Sequence, residues 1–353
     1  MSLFYFCGHG MQIDAENFLC PARVLPQKLP LKDAREVDVE LASDVRNAIP
    51  RPASGIVIAI LDACRVDLAS DHGTDGLNQV RAKPGELVVF STGAGKAAVA
   101  PTDENQMTFF TAALVERLNR LASEPDELTF PEMFRLVAAD TERAMRTFPN
   151  PYIRELAQVP FIADNSEQAV RVSLRQPSPK APGPAPGGTG DETTAFEALR
   201  SMLWPRDLQR AAADFLQRFP GSRFAGAVEV VAAGAAAAAR VLSNPDIPLQ
   251  RRDFTLRPDF GERFNEDLRR ASRGDKDAAA RVGERVKPDS FTGPAATQYE
   301  GWMQFAAELG NGIAAFDLAR FYGAANRPAS VGRWTKRARE LGYTPPPGLR
   351  ITR

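Results

Sequence analysis

Three short apolar runs in the first hundred residues constrain the fold more than any other feature of the chain. They occupy residues 3–7, 55–61 and 86–92 and are rich in Ile, Val, Leu and Phe, without a regular polar alternation. Such runs are typical of central strands in a parallel sheet that is covered on both faces. Small or polar residues end each run, and reactive groups of open parallel sheets collect at that edge.

Two helical patterns follow these runs. Phe110, Leu114, Leu118 and Leu121 recur at helical spacing, and a second apolar stripe extends over residues 130–145. Strands with interleaved helices predict an α/β domain, which we place at residues 1–175.

A change of composition separates this domain from the rest of the chain. Residues 176–190 contain five prolines and four glycines, and a segment of this kind cannot bury a core. We therefore predict a linker at 176–192. No later segment has a strand pattern, so the remainder is predicted to be all-α, with a helical segment at 193–264.

Residues 265–353 show internal similarity that indicates helical repeats. Ala271, Gly274 and Ala278 recur 36 residues later, and the segment from Trp302 to Gly310 recurs 32 residues later. A period in the thirties with small residues at fixed places is typical of paired helices in solenoids. We predict tetratricopeptide-like repeats here, with a protein partner as their ligand.

Charge and cysteine content exclude several classes of protein. Acidic and basic residues number 44 each, which argues against nucleic acid or an anionic membrane as a partner. Three cysteines without metal-type spacing argue against a disulfide framework or a metal site, and no cofactor is expected. Residues 224–242 are mostly alanine and include Glu229, so a packed helix is predicted and not a membrane span. The N-terminus lacks the features of a signal peptide, so the cytoplasm is the default compartment.

His9 and Cys64 are the candidates for chemistry, because each follows one of two apolar runs. A thiol needs a base to become a thiolate at neutral pH, and imidazole is the side chain best matched to that task. If the two strands are neighbours, the histidine and the cysteine lie side by side at the carboxyl edge of the sheet.

Four segments in this order resemble bacterial caspase-like cysteine peptidases of the metacaspase and paracaspase type. They are Phe4-Tyr5-Phe6-Cys7-Gly8-His9-Gly10, Ile58-Ala59-Ile60-Leu61-Asp62-Ala63-Cys64-Arg65, Val88-Val89-Phe90-Ser91-Thr92 and Phe109-Phe110-Thr111-Ala112-Ala113-Leu114. The histidine and the cysteine are 55 residues apart, close to the ~50 residues typical of caspases.

The resemblance implies a cysteine endopeptidase in which His9 is the general base and Cys64 the nucleophile, acting through a thioester acyl-enzyme. It implies that the amides of Gly10 and Cys64 form the oxyanion hole. Asp62 matches the acidic residue at the floor of the S1 pocket, so Arg or Lys is expected before the scissile bond. The implied partner is a protein or peptide substrate.

The chain departs from the family pattern in two places. The family's first strands, which precede the histidine strand, are missing here, so residues 3–7 are expected to form an unpaired apolar edge and to hold His9 poorly. Position 100, where paracaspases have a further acidic residue, is Ala100.

Alternatives remain open on the sequence alone. The chain could be a catalytically silent caspase-like module that acts as a protein-binding scaffold through its helical repeats. Asp62 could cap a turn at the end of its strand. Cys7 and Cys20 are expected to be small core residues without a chemical role.

Overall fold

A computed structural model describes residues 1–345 apart from residues 14, 22–38, 53–54, 66–76, 94–97, 100–105, 124–127, 167–169, 171, 173–189 and 291. The predicted linker and Ala100 thus lie almost entirely outside the described residues. Within the described part, an α/β unit comes first and an all-helical part follows, in the order that the sequence predicts; its first helix begins at Gly190, inside the predicted linker.

A six-stranded sheet forms the centre of the α/β unit. Its strands in chain order are β1 (Ser2–Ile13), β2 (Glu16–Cys20), β3 (Val39–Glu40), β4 (Val57–Arg65), β5 (Glu86–Phe90) and β6 (Phe161–Asn165). In space the order is β3-β2-β1-β4-β5-β6.

The three apolar runs of the sequence are the parallel core of this sheet. β1 pairs with β4 and β4 pairs with β5, both in parallel. The outer strands are antiparallel, so the sheet is mixed instead of mostly parallel. The mixture arises because the chain turns back at once after β1 into a hairpin, where Ala15 takes a φ of 71°.

Helices cover one face of the sheet. They are α1 (Phe109–Ser123) and α2 (Phe130–Arg146), and the short α3 (Pro151–Glu155) follows α2 with no buried residue of its own. The first two correspond to the helical patterns of the sequence. Phe110 and Phe134 pack there against Ile58, Ile60 and Val89, all of them buried. Burial of side chains of this size stabilises the fold by roughly 1.5–3 kcal/mol each.

The opposite face is covered by irregular segments. Leu41 and Leu77 pack there against Leu61 and Val88. Close to this layer, Arg46 ends a π-helical turn, Leu41–Arg46, and its guanidinium binds the carboxylate of Glu86 at 2.5 Å. Both side chains are buried, which makes this pair an internal anchor for the turn.

The first half of β1 has a hydrogen-bonded neighbour on one side only among the described strands. Residues 2–8 pair with β4, whereas pairing with β2 begins at His9. Met1, Leu3 and Tyr5 are exposed there. The expectation of an apolar edge is therefore confirmed for the described part of the sheet.

The second part of the chain consists of paired helices. They are α4 (Gly190–Ser201), α5 (Pro205–Arg218), α6 (Ala225–Val241), α7 (Glu262–Ser272), α8 (Lys276–Arg285), α9 (Pro294–Glu308), α10 (Gly312–Ala324) and α11 (Pro328–Glu340). Of the helices described here, none is long and apolar enough to cross a membrane.

Glycines follow alternate helices of this part, α7, α9 and α11, in the same way. Gly274, Gly310 and Gly342 all have positive φ, the backbone region that favours glycine. Asp275 and Asn311 follow the first two of these glycines, and each caps the next helix with its side chain. The spacing found in the sequence therefore marks equivalent turns, while the tetratricopeptide assignment stays a prediction.

A buried ionic cluster joins the helical part to β6. Arg270 on α7 binds Asp164 of β6 at 2.5 Å and Asp275 at 2.7 Å, and Arg135 on α2 binds Asp275 at 3.0 Å. Burial disfavours the charge of Asp275, but the facing Arg270 and Arg135 outweigh it and hold the pKa of its carboxyl well below the usual range. The two parts thus form a shared polar interface.

Candidate active site

The register of two parallel strands places His9 beside Cys64. The two residues are direct Cα partners in the β1–β4 ladder, which ends one pair later at Gly10 and Arg65. Cys64 is the next-to-last residue of β4, whereas β1 continues past His9 to Ile13. Neighbouring strands lie about 4.8 Å apart, so the pairing brings the two backbones to adjacent positions. The prediction that these strands are neighbours is confirmed. His9 is exposed. The side chain of Cys64 lies outside the described part, and the roles of both residues stay predictions.

Asp62 lies on β4 two residues before the cysteine, opposite Cys7 of β1. Its side chain is nearly inaccessible, with 2% of the residue exposed. Oδ2 accepts hydrogen bonds from the hydroxyls of Thr108, at 2.5 Å, and Thr111, at 2.6 Å. Oδ1 is buried and has no hydrogen-bond partner in the described structure. A buried oxygen without a partner costs roughly 1–3 kcal/mol, so this half of the carboxylate is available to a donor.

The start of α1 holds the other half of this carboxylate. Thr108 precedes the helix and accepts a hydrogen bond from the Thr111 amide at 3.0 Å, while its own hydroxyl donates to Asp62. The start of α1 therefore lies beside the carboxylate of Asp62 and supplies both of its hydroxyl donors. Sequence reasoning missed both threonines, although a threonine just before an apolar helical pattern is a helix-start signal.

Tyr5 completes this hydrogen-bonded group. Its hydroxyl pairs with the hydroxyl of Thr111 at 2.7 Å. Partial burial raises the pKa of Tyr5 to about 12, the negative charge of Asp62 acts in the same direction, and the hydrogen bond with Thr111 acts against both. The phenol is therefore neutral at physiological pH, and its contribution to the group is a hydrogen bond.

A second polar group lies at the carboxyl end of the neighbouring strand. Ser91 continues β5 by one residue, and its amide donates to the carbonyl of Leu61 at 2.9 Å. Its buried hydroxyl has no partner in the described structure. Gln158 is fully buried and donates to the carbonyl of Ser91, while its side-chain oxygen accepts from the amide of Val99. No local pattern in the sequence distinguishes Gln158.

Gly10 occupies a more enclosed position than the oxyanion prediction suggests. It is buried and lies within both ladders of β1, opposite Leu19 on one side and Arg65 on the other. An amide between two strands has less room to face a substrate than an amide in a loop. The oxyanion roles of Gly10 and Cys64 remain predictions.

The two other cysteines differ in their surroundings. Cys20 is buried against Met11, Ile13 and Phe18, as expected of a core residue. Cys7 is exposed, so its expected place in the core is wrong. The reason is that residues 2–8 of β1 pair with β4 on one side only, so Cys7 has no strand beside it on the other side among the described strands.

No cluster of three or more His, Cys, Asp or Glu side chains suited to a metal ion occurs in the described ranges. Asp62 stands in a hydroxyl-rich setting, and its open oxygen suits a hydrogen-bond donor or an organic cation.

Comparison with known families agrees with this geometry. Residues 1–169 match the family model of the caspase domain. The matched part contains the whole described sheet together with His9, Asp62 and Cys64. No curated protein matches the chain. The first part of the chain is therefore similar to a caspase domain and has a cysteine-peptidase-like fold.

Proposed function

We propose that the chain is a cysteine endopeptidase in which His9 is the general base and Cys64 the nucleophile. The observation that carries the proposal is the direct pairing of these two positions at the carboxyl edge of the sheet. That edge is where open α/β sheets bind their ligands. The caspase-domain match over residues 1–169 supports the same reaction class.

The proposed reaction proceeds through a thioester. His9 accepts the proton of the Cys64 thiol, and the thiolate attacks the carbonyl carbon of the scissile bond. His9 then protonates the departing amine, and the acyl group remains on sulfur. Water, deprotonated by His9, attacks the thioester and releases the new carboxylate together with the free thiol. Amides of Gly10 and Cys64 are proposed to donate to the oxyanion.

Asp62 supports a preference for Arg or Lys before the scissile bond. Its Oδ1 is buried and lacks a hydrogen-bond partner, so a cationic side chain that reached it would satisfy it, and no basic side chain forms an ion pair with it among the described residues. Hydrogen bonds to charged groups contribute about 1.5–3 kcal/mol, so a bound guanidinium or ammonium would be favoured strongly over a neutral side chain.

A protein-binding function has an observation of its own, which lies on α5 and α6 and not in the predicted repeats at 265–353. A groove of about 560 Å³ lies between α5 and α6, and alanines form much of its wall. Its lining includes three guanidinium groups, those of Arg206, Arg210 and Arg240. A basic groove of this kind suits an acidic segment of a protein partner, and binding there requires no catalysis at His9.

Peptide turnover separates the two functions. Fluorogenic peptides that differ only in Arg, Lys or Asp before the reporter are incubated with the unchanged chain, Cys64→Ser and Cys7→Ser. Turnover of the Arg and Lys peptides that survives Cys7→Ser and is abolished by Cys64→Ser is the expected result. Absence of turnover in the unchanged chain, or turnover that persists in Cys64→Ser, would reject the peptidase proposal.

A further inference from the structure

Two adjacent buried side chains, Asn78 and Gln79, connect the candidate site to the last helices of the chain. They are 5% and 6% exposed and lie between β4 and β5 in the chain. Their hydrogen-bond partners include residues more than 200 positions away in the sequence.

Asn78 binds the hairpin that carries His9. Its amide donates to Oδ1 of Asn17 at 2.7 Å, and Nδ2 of Asn17 donates back to the carbonyl of Asn78 at 3.2 Å. Nδ2 of Asn78 also donates to the carbonyl of Ala15, the turn residue of the hairpin, at 3.0 Å. The hairpin formed by β1 and β2 is thus fixed at its tip by this single asparagine.

The same asparagine binds the end of the helical part. Nδ2 donates to the carbonyl of Thr344 at 2.7 Å, and the amide of Thr344 donates to Oδ1 at 2.9 Å. The side-chain amide therefore pairs with Thr344 as a backbone would. Since hairpin and helical part share one buried side chain, movement of either is transmitted to the other.

Gln79 binds two equivalent turns of the helical part. Nε2 donates to the carbonyls of Leu341, at 2.5 Å, and Gly310, at 3.3 Å, while the amide of Gly312 donates to Oε1 at 2.9 Å. The glycines Gly310 and Gly342 are related by the 32-residue shift of the sequence. The repeated turns thus provide hydrogen-bonding groups for Gln79, which lies between β4 and β5 in the chain.

We propose that the turns 310–312 and 341–344 of the helical part are positioning elements for the His9–Cys64 site. They hold the hairpin after His9 and the segment after Cys64 in one fixed arrangement through Asn78 and Gln79. The consequence for rate rests on the proposed peptidase function; the mechanical link does not. A displacement of about 1 Å at a catalytic group can lower a rate about 100-fold, so loosening this link is expected to slow catalysis.

Gly312→Ala opens the link from the helical side. A Cβ at this position would lie 2.8 Å from Cβ of Tyr343 and 3.2 Å from Oε1 of Gln79, so the turn must move away from Gln79. Alanine is favoured in helices, so α10 itself is expected to persist. Gly332→Ala is the matched control, since its added Cβ in α11 would meet no atom within 4 Å.

Two readouts are measured on the full chain: amide hydrogen exchange of the hairpin, residues 10–19, and the rate of Cys64 alkylation with Cys7 as internal reference. Gly312→Ala is expected to accelerate exchange of the hairpin and to slow Cys64 alkylation at least tenfold, with both unchanged in Gly332→Ala. Equal hairpin exchange in the two variants would overturn the link. The positioning role would be overturned if Gly312→Ala accelerates exchange of the hairpin but leaves the rate of Cys64 alkylation unchanged, provided that this alkylation depends on His9.

Asn78→Asp provides the same test from the other side, should Gly312→Ala fail to fold. It replaces the Nδ2 donor by an oxygen that faces the carbonyls of Ala15 and Thr344, and the hairpin is again expected to loosen. If Cys64 is alkylated at the same rate in the unchanged chain and in His9→Ala, only the peptidase proposal is rejected. Hairpin exchange would then decide the inference as a structural link.

Discussion

Asp62 combines nearly complete burial with one carboxylate oxygen that has no partner. Such a group is stable only because Thr108 and Thr111 satisfy the other oxygen and α1 begins beside it. The sequence predicts the identity of this residue through the family resemblance. It does not predict its support, because the two hydroxyls come from a helix more than 40 residues further along the chain.

Replacement of this carboxylate tests its proposed role in specificity. Asp62→Asn keeps the shape and removes the charge, so turnover of peptides with Arg or Lys before the scissile bond is expected to fall roughly 10- to 100-fold. Peptides with a neutral residue there should change little. Steady-state kinetics with both peptide types measures the difference. The control is Asp214→Asn, which removes an exposed carboxylate on α5. An equal loss for both peptide types would assign Asp62 a structural role only.

At the scale of elements, the apolar runs and helical stripes predict the central strands and helices well. β2 and β6 escape prediction, because polar residues leave each with only two or three apolar residues in a row, and the hairpin turn has Ala15 where glycine or asparagine would be the usual signal. The π-helical turn that ends at Arg46 is likewise held by a distant residue, Glu86, and not by a local pattern.

The Arg46–Glu86 pair gives a prediction with a defined sign. Burial alone would raise the pKa of Glu86, but the hydrogen bond and charge of Arg46 outweigh it and lower the pKa. The pair therefore stabilises the fold above the unfolded-state pKa of about 4.3, and this contribution is lost as the pH falls through the lower folded-state value. Arg46→Met leaves the buried carboxylate unpaired and is expected to cost roughly 3–5 kcal/mol at pH 7.

Urea unfolding between pH 3 and 7 measures this effect. In Arg46→Met, burial then dominates and raises the pKa of Glu86, so its contribution to stability should decline with rising pH, opposite to the unchanged chain. The control is Arg218→Met, which removes an exposed pair on α5 and should cost less than about 1 kcal/mol. A variant at position 46 that is as stable as this control at pH 7 would show that the pair does not anchor the turn.

At the scale of the whole molecule, the interface between the two parts is the feature that the sequence does not reveal. An arginine-rich helical segment such as α7 is usually predicted to face solvent. In the structure, however, Arg270 lies between Asp164 and Asp275. Contacts of this kind depend on pairs of residues about a hundred positions apart. Composition and period describe each part by itself and carry no information on how they dock.

Cleavage of the predicted linker tests this interface. A non-specific protease is expected to cut first within residues 176–190, because nothing in that composition packs. The two fragments should remain together at pH 7, since the ionic cluster and the contacts of Asn78 and Gln79 cross the interface. Arg135 contributes to the lowered pKa of Asp275 from the other side of the interface, so association should weaken at acid pH as this carboxylate becomes protonated. Size-exclusion chromatography of the cut chain decides this; separate elution at pH 7 would contradict the described interface.

The proposed peptidase activity depends on the pairing of His9 with Cys64, and selective labelling of the Cys64 thiol tests this pairing most directly. A peptidyl chloromethylketone ending in Arg is added to the unchanged chain and to His9→Ala, and modification of each cysteine is followed by mass spectrometry. Cys7 is exposed and Cys20 is buried, so the two provide internal references for accessibility. We predict that Cys64 reacts far faster than either, and that His9→Ala slows its reaction by roughly 100-fold. Equal labelling of Cys64 and Cys7, unaffected by His9→Ala, would contradict the proposed site.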